Sequence, residues 1–345
     1  MVDFRLFQMN LSGLDNKKHD EAISLIRLIS TLSIIACHVF QFWSNDLCAW
    51  FNVGVQLFFI ISGYLYGLKD NIQTVFFLKK TFKKVLVPYW LFLTFAICYL
   101  ASFTEWESAL NIKSVGLAYL GAGTIRGMRH LWFVSYILFC YLLVPYLHAL
   151  VSYCRGKSLK YAVVRYLFVF VLINVLGFSF SSFFLPDRIS AFVLAFFIPD
   201  IQKRLSVKAN KSFALTCVAI GLFAWCARYH FRYNYSGSYV QIAGLFDRYS
   251  MILAAFSFFF VIKLLYTKKR WQRFYMISDK LSYPVYLVHG LFIFGPVSML
   301  TMTSSVAFNL LLLMCVVLLL AITLELLSNK IIYYKTCFLK KSSKG

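Results

Sequence analysis

The chain has 345 residues, 61% of them apolar and only 14% charged, with a formal net charge of +22. Soluble domains hold nearer ~45–50% apolar residues, so the composition excludes an ordinary soluble enzyme and points to a polytopic membrane protein. The positive charge sits in short runs between apolar segments, such as Lys79, Lys80, Lys83, Lys84 and Lys268, Lys269, Arg270. That distribution fits membrane topology and anionic lipid headgroups, and we expect no nucleic-acid partner.

Taken in chain order, apolar runs of about the ~20 residues needed to span a bilayer fall near 21–43, 50–68, 84–103, 130–151, 161–181, 188–200, 212–229, 241–266, 281–300 and 305–328. The expectation is an all-α, polytopic membrane bundle of about ten transmembrane helices. Residues 1–20 form an N-terminal tail, 21–328 the transmembrane domain and 329–345 a basic tail. Most of the 35 Lys and Arg residues lie in alternate loops and in both tails, which places both termini in the cytoplasm. No cleavable leader is apparent, so the first run is read as a retained anchor. The nine cysteines show no CxxC or metal spacing and read as packing thiols, with neither a metal nor a permanently bound cofactor expected.

Within the first run, "RLISTLSIIACH" opens with Arg27 and closes with His38. Eleven residues return a helix to within ~20° of the same face, ~16 Å further along its axis. Ser24, Thr31 and Gln41 fall on or near that stripe, and a polar stripe in lipid must face protein or a water-filled cavity. Snorkelling of Arg27 and a helix contact for His38 is the structural alternative, but two ionisable residues on one stripe favour a site. In the second run, Asn52, Gln56, Phe59 and Gly63 form another inward face, for which helix packing through Gly54 and Gly63 is the simpler account. Ser62 lacks a nucleophile elbow and reads as close packing.

His130 and Trp132 begin the fourth run at the outer interface, where Trp132 is either a belt residue or part of an acceptor site. In the ninth, Tyr286 and His289 share a face with Ser282; His289 is either a satisfied buried histidine or a hydrogen-bonding member of the same cavity. Glu325, near the inner end of the tenth, is expected to pair with inner lysines, Lys330 being nearest in sequence.

These segments together resemble the membrane-bound acyltransferase-3 family. Arg27 and His38 match its Arg-x10-His, "GVQLFFIISGYL" its Phe-Phe-x-x-Ser-Gly signature, and "KKTFKKVLVPYW" the place where a basic pair precedes Pro-Tyr; "HLWFVSYILFCYLLVP" and "LSYPVYLVHG" are similar to its fourth-span and late-span blocks. Two departures stand out. The basic pair here is lysine, Lys80 and Lys83, which lacks arginine's bidentate fork, and "FFIPDIQKR" is unlike the family's glycine-containing block.

The resemblance implies transfer of an acyl group, commonly acetyl, from cytoplasmic acyl-CoA to a hydroxyl of an extracytoplasmic or lipid-linked glycan, in a bacterial plasma membrane. His38 is then the candidate general base and Arg27 its partner towards the donor. Lys80, Lys83 and Lys84 are candidates for the CoA phosphates, and Gln56, Ser62, His130, Trp132, Tyr286 and His289 for the acceptor or the cavity wall. The chain either acts directly or works with a separate extracytoplasmic protein. A transporter or glycan polymerase that uses Arg27 and His38 for substrate or proton binding is the alternative reading.

Overall fold

The computed structural model describes residues 20–70, 72–179, 186–234, 240–266 and 271–342. Nearly all of the N-terminal tail and the Lys268, Lys269, Arg270 run therefore lie outside the described residues. The described residues form twelve α-helices and no strand. In chain order these are α1 (Glu21–Phe42), α2 (Cys48–Phe51), α3 (Val53–Gly67), α4 (Thr74–Ala101), α5 (Ile112–Tyr119) and α6 (Trp132–Cys154). They continue as α7 (Leu159–Ser179), α8 (Asp187–Arg204), α9 (Val207–Asn234), α10 (Val240–Leu265), α11 (Gln272–Phe294) and α12 (Val306–Ser342).

Among the described residues, eight helices are long and apolar enough to cross a membrane, the short α2 counting with α3. Ten crossings were expected, and the two that fall short are α8 and α11. The reason is where they sit. In α7 and α12 only 22% of the most apolar stretch is buried, so their side chains face lipid and must be apolar. α8 and α11 bury long runs, residues 189–197 apart from the half-buried Leu194 for example, against other helices. Protein neighbours there tolerate the charges and histidines that lower hydropathy, such as Asp187, Asp200, Asp279 and His289.

Several boundaries also differ from the apolar runs. The third begins at Thr74 because the lysine-rich stretch before the apolar core is itself helical. The ninth extends back to Gln272 and stops at Phe294, where Gly295 caps it and Pro296 cannot continue it. The tenth, α12, continues past residue 328 to Ser342.

Helix α3 lies directly against α8. A Cβ at Gly63 or Gly67 would run into the backbone carbonyls of Phe192 and Phe196, so only glycine permits this approach. The longest connection, between α4 and α6, folds over the end of the bundle opposite the lysines and buries Trp106, Ile125 and Met128. It is tied down by Tyr89 Oη donating to the Ala118 carbonyl (2.6 Å) and Trp90 Nε1 to that of Tyr119 (2.9 Å). Its last turn delivers His130 to the interior.

Candidate active site

The site is built on α1 and α11, which run side by side in the same direction and meet at two polar rungs. At the lysine-rich end, Arg27 Nη1 lies 2.7 Å from Asp279 Oδ1. Ser24 Oγ donates to Asp279 Oδ2, also at 2.7 Å. Three turns further along, His38 Nδ1 lies 2.7 Å from His289 Nε2. The axial separation of the rungs is ~16 Å along α1.

Local sequence fixes this arrangement. The Asp20 carboxylate caps α1 by accepting from Ala22 and Ile23 N–H (3.1 and 3.4 Å) and pairs with Lys263 of α10 at 2.7 Å. That fixes the rotation of α1, so Ser24, Arg27 and His38 all address α11. Gln41, at the end of the expected stripe, is exposed. On α11, Asp279, Ser282, Tyr286 and His289 lie at i, i+3, i+7 and i+10, within one ~80° face.

The far rung contains a third imidazole. His130 lies 4.8 Å from His289 and 5.9 Å from His38 between ring centroids, and the His38 and His289 rings stack 5.0 Å apart. His130 Nε2 donates to the Leu287 carbonyl at 3.0 Å, and Tyr286 Oη donates to the His130 carbonyl. Gly290 makes the approach possible, since a Cβ there would overlap the His130 ring.

The hydrogen bonds determine the tautomers. A carbonyl only accepts, so His289 Nδ1, 3.2 Å from the Val285 oxygen, carries a proton. The neutral His289 ring then offers Nε2 as an acceptor, and His38 Nδ1 must be the donor to it. His38 Nε2 is left with its lone pair and no hydrogen bond to a described residue. His289 is fully buried (0% exposed) and His130 nearly so (5%), whereas His38 is partly exposed. Of the three rings, His38 alone combines a free lone pair with access. The described His, Cys, Asp and Glu residues form no group of three able to hold a metal.

Around the near rung, Lys84 lies within electrostatic reach of Arg27, Asp279, Glu325 and Lys80. The other two candidate lysines are placed differently. Lys83 Nζ donates to the Ile332 carbonyl of α12 at 3.1 Å, and Lys80, exposed as Lys84 is, lies 5.9 Å above the Phe76 ring. Glu325 accepts from Asn329 Nδ2 at 2.8 Å, and the lysines facing it are Lys84 and Lys280 rather than Lys330. Ser62 lies close to the Tyr141 hydroxyl, which is also within electrostatic reach of Arg27. Gln56 is buried, with Oε1 unpartnered among the described residues. Trp132 is half-buried beneath Arg188.

The structure therefore joins His38, His130, Tyr286 and His289 in one cluster and places Arg27 and Lys84 together at the other end. Sequence reasoning missed Asp279, Tyr141 and Gly290. Asp279 carried a signal, being one of only 13 acidic residues in a chain of 35 basic ones and ten positions before His289.

A family model described as an acyltransferase domain matches residues 20–328. The chain belongs to the acyltransferase-3 family. Neither a curated protein nor a solved structure matches it. Membership makes this a membrane acyltransferase.

Proposed function

We propose that this acyltransferase moves an acetyl group from acyl-CoA, held at the lysine-rich cytoplasmic end, to a hydroxyl of an extracytoplasmic or lipid-linked glycan. The observation that supports it best is the His38–His289 bond, which leaves His38 Nε2 unprotonated and accessible at the end of the bundle opposite the lysines.

In this reading His38 Nε2 accepts the proton of the attacking hydroxyl while its oxygen forms a bond to the thioester carbonyl carbon. The carbon–sulfur bond breaks, and the proton passes from His38 to the departing thiolate, which restores the neutral ring. His289 holds the reactive tautomer by accepting from His38 Nδ1, and the Val285 carbonyl fixes His289 in turn. Arg27 and Lys84 meet the negative charge of the donor. The pantetheine arm spans the ~16 Å between rungs.

The test is transfer of label from acetyl-CoA to isolated surface glycan by membranes containing the protein. Transfer by the wild type and its loss in His38→Gln, at equal protein level, is the expected result. Retained transfer in that variant would remove His38 from the reaction.

A further inference from the structure

Beyond the histidine cluster, at the same end of the bundle, four arginines stand close to aromatic rings or carboxylates; one of them, Arg126, is exposed and stacks 4.8 Å from the centre of the Trp106 ring. Arg228 Nε lies 2.8 Å from Asp247 Oδ1, and Arg248 Nη1 lies 3.7 Å from Asp187 Oδ1. Arg188 differs from both. Its guanidinium stacks 3.6 Å from the centre of the Trp132 ring and 5.3 Å from that of Tyr136. Among the described residues it has neither a hydrogen-bond acceptor nor a carboxylate at ion-pair distance. Its neighbour Asp187 lies within electrostatic reach but makes its ion pair with Arg248, and the adjoining segments 180–185 and 235–239 contain no acidic residue.

Stacking occupies the face of a guanidinium and leaves its edge of N–H donors available, a fork that matches an oxyanion. A half-buried cation so arranged has, among the described residues, no hydrogen-bonded counter-charge to offset its desolvation. The position is also connected to the reaction. Trp132 follows His130 by two residues, Phe133 packs 5.2 Å from Tyr286, and Arg188 lies within electrostatic reach of Tyr286, whose hydroxyl holds the His130 carbonyl. One guanidinium balances one negative charge, which suits a monoanion better than a diphosphate.

We propose that the Arg188 edge binds a carboxylate on the acceptor, so that the preferred acceptor is an acidic glycan whose reacting hydroxyl lies near His38. This rests on the acyltransferase reading for its purpose, but the binding itself is measurable without transfer. A lipid phosphate is the other source of an oxyanion at this depth.

The experiment measures equilibrium binding of a hexuronic-acid oligosaccharide, and of the same oligosaccharide with its carboxyls reduced to alcohols, to full-length protein in nanodiscs of zwitterionic lipid. The wild type should bind the acidic form on the order of tenfold more tightly or better, the usual size for a hydrogen-bonded charge. Arg188→Gln should bind both forms alike, and Arg188→Lys should recover part of the preference. Retained acetyl-CoA binding in Arg188→Gln shows that the variant is folded. Equal binding of the two forms by the wild type would overturn the proposal. So would a preference that survives Arg188→Gln. A further arm replaces part of the lipid with phosphatidylglycerol. If this abolishes selectivity in the wild type, Arg188 is a lipid-phosphate site and the proposal fails. Selective binding without label transfer to any acceptor would sink the acyltransferase mechanism and leave the anion site standing.

Discussion

The two rungs between α1 and α11 use the same pair of helices for opposite purposes. The near rung is a salt bridge whose side chains are 22% and 19% exposed, and each charge is balanced where it stands. The far rung is a neutral hydrogen bond between imidazoles, in which one partner is wholly buried and the other is not. A charge pair can meet a charged donor but transfers no proton at neutral pH, because arginine does not give one up. An imidazole pair can move a proton and holds no fixed charge. On the proposed mechanism, the contrast puts donor recognition and chemistry at opposite ends of one helix pair, joined by a path of three helical turns.

The largest effect that would break this contrast is at the far rung. His38→Ala should reduce transfer by ~10²–10⁴-fold, the usual cost of losing a general base, with donor affinity unchanged. His289→Gln is the sharper variant. Its amide can still accept from His38 Nδ1, so it should keep part of the activity that His289→Leu loses. Equal losses in the two would show that His289 does more than hold a tautomer.

Gly290→Ala should come next. The added methyl overlaps the His130 ring, and overpacking of this kind costs ~1–3 kcal/mol. Thermal unfolding in detergent should show the loss, and transfer should fall further than folded protein does because His130 is displaced from the cluster. A variant with unchanged stability and activity would mean that α11 and the turn carrying His130 yield freely at this point.

The near rung was partly legible in the sequence, and the reason for the partial success is physical. Helical periodicity placed Arg27 and His38 on one face, and no other packing of a polar stripe is cheap in lipid. Asp279 escaped because a hydropathy reading starts the ninth span at 281, after the charges, as if every charge lay outside the bilayer. The structure continues the helix through them, since Asp279 is neutralised by Arg27 inside the protein. The same bias shortens α8 to a run at 188–200, because its five charged residues, shared between buried pairs and its ends, lower its hydropathy. His130 was legible as a candidate from its place before the fourth run. Its contact with α11 was not, because Gly290 and the folded outer loop act through tertiary approach that periodicity cannot report.

At the near rung the expected effects are smaller. Removing one partner of a half-buried pair leaves the other charge uncompensated and costs more than removing both. Arg27→Gln should raise the apparent KM for acyl-CoA and lower stability, whereas Asp279→Asn should lower stability with little change in donor KM. If both variants alter only stability, Arg27 is a strut between α1 and α11, and donor binding belongs to the lysines alone.

The lysines supply the finest division. Lys84 faces Arg27, Asp279 and Glu325, so Lys84→Ala should raise the donor KM most among the three. Lys83 spends a proton on the Ile332 carbonyl, and Lys83→Ala should loosen α12 against α4, seen as a lower unfolding temperature with a smaller change in KM. Lys80 and Lys84 are both exposed, but Lys80 stands over Phe76 rather than facing Asp279 and Glu325, and isolated exposed charge contacts are worth ~0–1 kcal/mol and are screened by salt. Lys80→Ala should therefore change the donor KM less than about fivefold, with the difference disappearing in high salt. A Lys80 effect equal to that of Lys84 and insensitive to salt would extend the donor site onto the membrane surface, and the near rung would become the floor of a larger pocket.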